Sequence, residues 1–339
     1  MNRPAQPQPQ TQSATTPPRP LRVVDLTPGQ RVDGVVVVKK KVRREQANGD
    51  VFLLFQLGDD SGQINAILWR GAKDADAEIQ AGDLAYVQGE VQLHQNARQI
   101  RVHQIRRADP AAYDVSQFVP ASSRDLQAQY DALLHSIDSV QNPHLRQLYS
   151  DIFRDEGVAS RFRCTPAGKG WHHAYVGGLL EHVLSMLKLG EVVVAQYSDV
   201  DRDLVVGGVL LHDIGKIEEL VCRSYIDYTE SGRLVGHLVQ GCMLVGRFID
   251  RIDGFPEELR SRVLHMIVSH HGSLDRGSPK PPMTLEATVV HLLDHLDSQT
   301  DAVAQIVRET RSGDGWSDHI KLANRNFFRG RKDGNAPGT

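Results

Sequence analysis

The chain has 339 residues, with 39 Lys and Arg against 42 Asp and Glu and a formal net charge of −3, which is long enough for two domains that each bury a core. No apolar run approaches the ~18–20 residues needed to cross a bilayer. The Pro/Gln/Thr-rich start lacks the apolar stretch of a secretory signal. Three widely spaced cysteines, Cys164, Cys222 and Cys242, argue against a disulfide framework or a thiolate zinc site and suit a reducing cytoplasm.

Charge is unevenly distributed. Residues 21–108 carry 13 basic and 11 acidic side chains, whereas residues 109–339 carry 24 basic and 31 acidic ones. An acidic region that handles phosphates needs bound cations or a separate basic module. The histidines, 15 in all, concentrate in clusters after residue 170.

Residues 1–20 are apolar-poor and low in complexity, so they are expected to be disordered. From 21 to 108 the pattern is that of strands. RVDGVVVVKKKVRR is β-branched and then basic, and DVFLLFQL follows the Asn48-Gly49 turn. QINAILWR follows Asp59-Asp60-Ser61-Gly62, and a short helical stretch lies near Ala72–Ile79. DLAYVQGEVQL and RQIRVHQIRR then form a last strand pair. Five strands with one helix after the third is the order of an OB-fold barrel; an SH3-like barrel is the alternative. Residues 109–121, with Pro110 and Pro120, read as a linker. Helical periodicity then runs through 122–312, predicting an all-α domain. Residues 313–339, ending NRNFFRGRKDGNAPGT, read as a loose basic tail.

Five pieces recur in order along the helical domain: GGLLEH, LLHDIGK, GH, SHHG and HLLD. Singly, a His on an apolar helix is a core or capping residue. As an ordered set of imidazoles and carboxylates, they are the ligands of choice for Mn, Fe, Co or Zn. Neighbours on a helix diverge by roughly 100°, so His212 and Asp213 can serve two metals, with Asp213 reaching or bridging to the second. His182 and Asp294 would complete one site, and His237, His270 and His271 the other. Two metals about 4 Å apart would stabilise attacking and leaving oxygens together. Lys216, three residues after Asp213, is placed to neutralise a scissile phosphate. His172 and His173, before the first ligand helix, are candidate substrate contacts, as is Lys280 in the SPKPP loop.

In the barrel, Lys39, Lys40, Lys41, Arg43 and Arg44 at a strand end, with Arg98, Arg101, Arg106 and Arg107 on or after the last strand, make a basic face for a nucleic-acid backbone. Phe52, Phe55, Trp69 and Tyr86 are candidate stackers, of which one or two are expected to be exposed.

HHAYVGGLLEHVLSML, GGVLLHDIGKIEEL, GHL, MIVSHHGS, GSPKPPMTLEA and HLLDHLDS resemble the HD-domain phosphohydrolase superfamily. More narrowly, the chain resembles the YhaM-type 3′→5′ exoribonucleases over roughly residues 21–328, including the closing NRNFF. The resemblance implies an N-terminal OB-fold β-barrel followed by an all-α HD domain. It implies His182, His212, Asp213 and Asp294 for one metal, and Asp213, His237, His270 and His271 for the other, with Asp213 and Lys216 in catalysis. The expected cofactor is a divalent metal, two per chain, Mn first and Co, Fe, Mg or Zn as alternatives. The expected partner is single-stranded RNA or DNA, with nucleoside 5′-monophosphates released; no membrane partner is expected, and a homo-oligomer is compatible. Two other readings stay open. One is a phosphodiesterase or phosphatase of small nucleotides with a regulatory barrel, although the chain lacks the Gly-Tyr-Pro tripeptide of the cyclic-dinucleotide version. The other is a non-catalytic nucleic-acid binder, which the full set of ligand positions disfavours.

Overall fold

The computed structural model describes residues 17–95, 97–114, 117–222, 224–310, 314–320 and 322–330. Most of the expected N-terminal tail (1–16) and the last nine residues of the C-terminal one (331–339) lie outside the described residues. The chain divides into two compact units, Met1–Phe118 and Val119–Thr339.

In the first unit, β1 (Arg31–Glu45), β2 (Val51–Gly58), β3 (Gln63–Leu68), β4 (Leu84–His94) and β5 (Ala97–Arg107) close a barrel in the order β1-β2-β3-β5-β4, with α1 (Ala72–Glu78) following β3. This is the OB-fold topology. β1 is long because it pairs with β4 through Arg31–Val37 and with β2 through Val37–Glu45, so one curving strand serves both neighbours. The period-2 alternation of β2 puts Val51, Leu53, Phe55 and Leu57 inside and leaves Phe52, Leu54 and Gln56 half-buried on the outer face. The inward set joins Val36, Val38, Ile100 and Val102 in one core.

The second unit packs α2 (Leu126–Asp138), α3 (Pro143–Arg154), α4 (Glu156–Cys164), α5 (Gly178–Gln196), α6 (Arg202–Leu211), α7 (Lys216–Glu219), α8 (Glu230–Val235), α9 (His237–Ile249), α10 (Glu257–Ser269) and α11 (Leu285–Glu309) around one core. Asp125, Asn142, Asp155, Asp201, Thr229 and Thr284 cap helix starts, each accepting hydrogen bonds from backbone N–H groups of the first turn. No helix among the described residues is long and apolar enough to cross a membrane.

The middle of this unit is α6. Every residue from Leu204 to Leu211 is buried, and Gly207 and Gly208 are what let neighbours close in. A Cβ on Gly207 would lie 1.7 Å from the hydroxyl of the fully buried Tyr149, and one on Gly208 would meet Val290 and Met266. The expectation of an all-helical domain needs one correction. β6 (Leu220–Cys222) and β7 (Ile226–Tyr228) form a small antiparallel hairpin between α7 and α8, two strands of three residues each that interrupt the helices. The closing segment is also not loose throughout. Trp316 pairs with Phe328 and Ile320 with Arg325, and the Trp316 and Phe328 rings meet at 4.9 Å.

Gly207→Ala should therefore overpack the interior and destabilise the helical unit by about 1–3 kcal/mol. Thermal unfolding followed by the helical circular-dichroism signal measures this, and an unchanged melting curve would contradict the packing described.

Candidate metal centre

Five helices deliver the candidate ligands. His182 comes from α5. α6 ends at Leu211, so His212 is its C-cap and Asp213 lies in the following turn rather than inside a helix, as the sequence had suggested. His237 opens α9, His270 caps α10 with His271 next, and Asp294 lies on α11. Gly215 sets the spacing, since a Cβ there would sit 2.0 Å from the His237 carbonyl oxygen. That close approach brings the start of α9 against the turn carrying Asp213.

The side chains converge on the two oxygens of Asp213. Oδ2 lies 3.3 Å from His212 Nε2 and 4.0 Å from His182 Nε2, which is 3.4 Å from Asp294 Oδ1. Oδ1 lies 3.5 Å from both His237 Nε2 and His270 Nε2, and His237 Nε2 is 3.3 Å from His271 Nε2. One carboxylate thus stands between two groups of imidazoles.

Hydrogen bonds on the far side of each ring fix the tautomers. His212 Nδ1 donates to the Val209 carbonyl at 2.9 Å and His270 Nδ1 to that of Ile267 at 2.8 Å. His182 Nδ1 bonds Asp297 Oδ2 at 2.7 Å and His237 Nδ1 bonds Glu219 Oε1 at 3.0 Å. Because carbonyls and carboxylates only accept, each Nδ1 carries the proton and each Nε2 faces inward. His182 Nε2 and His212 Nε2 are then 3.3 Å apart, close enough to share one proton or, with that proton displaced, to face one cation. Asp213 Oδ1 and His270 Nε2 are fully buried without a hydrogen-bond partner among the described residues, a costly state that coordination would relieve. The donors are nitrogen and oxygen only, so the residues fit a divalent transition metal.

Electrostatics agree. Burial opposes charging the His182 ring, but bonds to Asp294 and Asp297 outweigh it and raise the ring to about 9. Burial also pushes Asp213 upward, yet the Lys216 ammonium and His212 hold it well below the usual carboxylate range. Burial, reinforced by His270 and His237, lowers His271 to about 3, and burial lowers His270 as well. Asp294 is held low against its burial, chiefly by His182.

The remaining predicted residues fall in different places. Lys216 is buried, with Nζ 2.6 Å from both Asp213 Oδ2 and the Ala167 carbonyl. His172 lies against His182 with ring centroids 5.1 Å apart, and neither of its buried ring nitrogens has a hydrogen-bond partner among the described residues. Burial lowers it to about 3. His173 takes a left-handed backbone conformation and bonds Tyr175 and Asp297, behind the ligands. Lys280 is exposed on the loop before α11. Sequence reasoning missed Asp297 and Glu219, which orient His182 and His237. Asp297 lies three residues after Asp294, on the same helix face, which was a usable signal.

On the barrel, the basic cluster is not uniform. Lys41 pairs with Asp76 at 2.8 Å, Arg43 approaches the same carboxylate at 3.8 Å, and Lys39 is half-buried against the Asp59 carbonyl, its ammonium lowered by that burial. Arg98 is bound to the carbonyls of Val24 and Leu26. Lys40, Arg44 and Arg101 are exposed. Arg44 stands opposite Phe52 and Arg101 beside Ile67. Phe52 stacks on the exposed Trp69 at 4.6 Å, whereas Phe55 is core and Tyr86 donates to Asp33.

Residues 179–299 match the HD domain family and residues 32–108 the OB-fold nucleic acid binding domain family. The chain is 30% identical over 308 residues to the 3′-5′ exoribonuclease YhaM of Listeria monocytogenes serotype 4b (strain CLIP80459), covering 91% of this chain and 97% of that protein. The YhaM of Listeria welshimeri matches with the same identity and coverage. Among solved structures, the second OB-fold domain of replication protein A from Methanococcus maripaludis is 24% identical, covers 26% of this chain and 94% of its own, and has a TM-score of 0.23. The chain belongs to the YhaM family of 3′-5′ exoribonucleases, with an OB-fold domain ahead of an HD domain.

Proposed function

We propose that this protein is a metal-dependent 3′→5′ exonuclease of single-stranded RNA, with single-stranded DNA as a second substrate, that releases nucleoside 5′-monophosphates. The observation that carries this reading is the division of four inward imidazole Nε2 atoms between the two oxygens of Asp213. His182, His212, Asp213 and Asp294 would hold one divalent cation, and Asp213, His237, His270 and His271 a second. Bound there, such cations supply Lewis acidity toward phosphoryl oxygens and lower the pKa of water.

The chain's own groups prepare the site. Asp297 and Glu219 lock the tautomers of His182 and His237, and the Val209 and Ile267 carbonyls do the same for His212 and His270. Lys216 Nζ lies 2.6 Å from Asp213 Oδ2 and keeps that carboxylate ionised beside a cavity that it lines. Hydrolysis of the last P–O3′ bond leaves a 3′-hydroxyl on the shortened strand and a nucleoside 5′-monophosphate. Lys40, Arg44 and Arg101 hold the backbone on the barrel, and the Phe52–Trp69 pair supplies a stacking surface.

With Mn²⁺, 5′-labelled single-stranded RNA should give a descending ladder and 5′-monophosphates; internal fragments or 3′-monophosphates would defeat the assignment. His212→Ala and Asp213→Ala should each lower turnover at least about a hundredfold with the helical signal retained. Activity that persists after complete chelation would remove metal from the mechanism.

Metal uptake should depend on pH. A cation entering the His182 set displaces the proton of a ring raised to about 9, so apparent affinity should climb about tenfold per pH unit up to that value and then level off. His270 and His271, lowered by burial, enter already neutral. Mn²⁺ titrations between pH 6 and 9 test this, and affinity that falls with rising pH would contradict it.

Charge reversal at Lys40, Arg44 and Arg101 should flatten the salt dependence of single-strand binding by about 0.7 in slope for each phosphate no longer neutralised. The same slope in variant and wild type would take the barrel face out of binding.

A further inference from the structure

Two cavities flank the candidate metal centre, and their linings differ in kind. The larger, about 810 Å³, is lined by His271, Asp294, Arg276, His291, His295 and Arg325. The smaller, about 490 Å³, is lined by Trp171, His172, Lys216, His237, Tyr228 and Leu322. Trp171 and Leu322 border both. Asp294 and His271 line the first and His237 lines the second, so a strand end held at the centre has both cavities within reach.

The smaller chamber has a built wall. Tyr228 ends the β6–β7 hairpin, which is latched to the Gly168–Trp171 loop through Asp227. That carboxylate accepts from Lys169 Nζ at 2.5 Å, Arg233 at 2.9 Å and the Tyr225 hydroxyl at 3.0 Å. Lys169 Nζ and the Arg233 guanidinium lie 5.5 and 5.9 Å from the Tyr228 ring centre. The result is a pocket of single-ligand size with two aromatic walls. It also holds His172, whose two buried ring nitrogens have no hydrogen-bond partner among the described residues. A buried imidazole in that state is stabilised by a ligand that both donates and accepts, and ribose hydroxyls do both. The larger chamber is different. Arg276, Arg325 and two histidines suit a chain of phosphates, for which the guanidinium fork is matched.

We propose that the smaller chamber is the subsite for the 3′-terminal nucleotide, with Trp171 and Tyr228 stacking on its base and His172 meeting its ribose, and that the larger chamber grips the upstream backbone through Arg276 and Arg325. The assignment rests on the exonuclease reading and deepens it. It makes the released 5′-monophosphate the occupant of the aromatic chamber at the end of each cycle.

The test uses the full-length protein with Mn²⁺ and two probes. AMP binding is measured by titration calorimetry, and KM and kcat are measured on 5′-labelled dodecaadenylate. Tyr228→Ala should weaken AMP binding about tenfold, and Tyr228→Phe should keep it within about twofold of wild type, since the ring and not the hydroxyl is required. Arg276→Ala combined with Arg325→Ala should raise KM for the oligomer about tenfold and leave AMP binding within about twofold. The proposal is overturned if wild type does not bind AMP, if both Tyr228 variants bind it equally well, or if the arginine pair weakens AMP instead. AMP binding that follows this pattern in a protein that leaves single strands intact would support the chamber as a nucleotide site and sink the exonuclease reading separately.

Discussion

A single buried carboxylate organises the helical unit. Asp213 is only 2% exposed, and an ionised carboxylate in such a place is tolerated only when paired and hydrogen-bonded. Its partners come from elements far apart in sequence: Lys216 from the same turn, His182 and His212 on one side, His237 and His270 on the other. The packing of the unit is what brings them together. Gly207 and Gly208 let α6 run through the middle of the core, and Gly215 brings the start of α9 against the turn.

The same arrangement answers a charge problem. Around the centre stand the carboxylates of Asp213, Asp294, Asp297 and Glu219, against the ammonium of Lys216. An unaided site of this sign repels a phosphodiester. Two divalent cations would reverse the sign at the point where the phosphate must lie, while leaving the rest of the unit acidic. Binding and chemistry then have opposite electrostatic needs at a distance and agree only at the centre. A separate basic barrel is a consistent solution to that division. Within the barrel, Lys39 and Lys41 are drawn in against Asp59 and Asp76, so that only part of the basic run faces solvent.

Much of this was legible in the sequence. The barrel followed from five β-rich stretches, two turns and one short helix after the third stretch, with period-2 burial clearest in β2. The order of the His and Asp pieces along apolar helices marked the side chains that the structure brings together around Asp213. The β6–β7 hairpin was not legible, since LVC and IDY are too short to carry a period and sit among helices. Asp297 and Glu219 were missed for another reason. Spacing marked Asp297 alone, three residues after Asp294; nothing local marks Glu219, and the 2.7 and 3.0 Å bonds to ring nitrogens are what assign both. The basic run of β1 misled in a similar way, because sequence does not show that Asp76, on α1, sits under Lys41.

Lys216 is the residue whose part changes most once the geometry is known. On sequence it was a cation pointed at substrate; in the structure its ammonium is buried and shared between Asp213 Oδ2 and the Ala167 carbonyl. The pairing does not compete outright with coordination, because a carboxylate oxygen has more than one lone-pair direction. Oδ2 can accept from Lys216 along one and face His182 and His212 along another. Lys216 thereby keeps Asp213 ionised against its burial, and the Ala167 bond anchors the ammonium to the loop that leads into Trp171 and His172. One buried cation thus ties the carboxylate that both imidazole groups share to the loop that walls the smaller cavity.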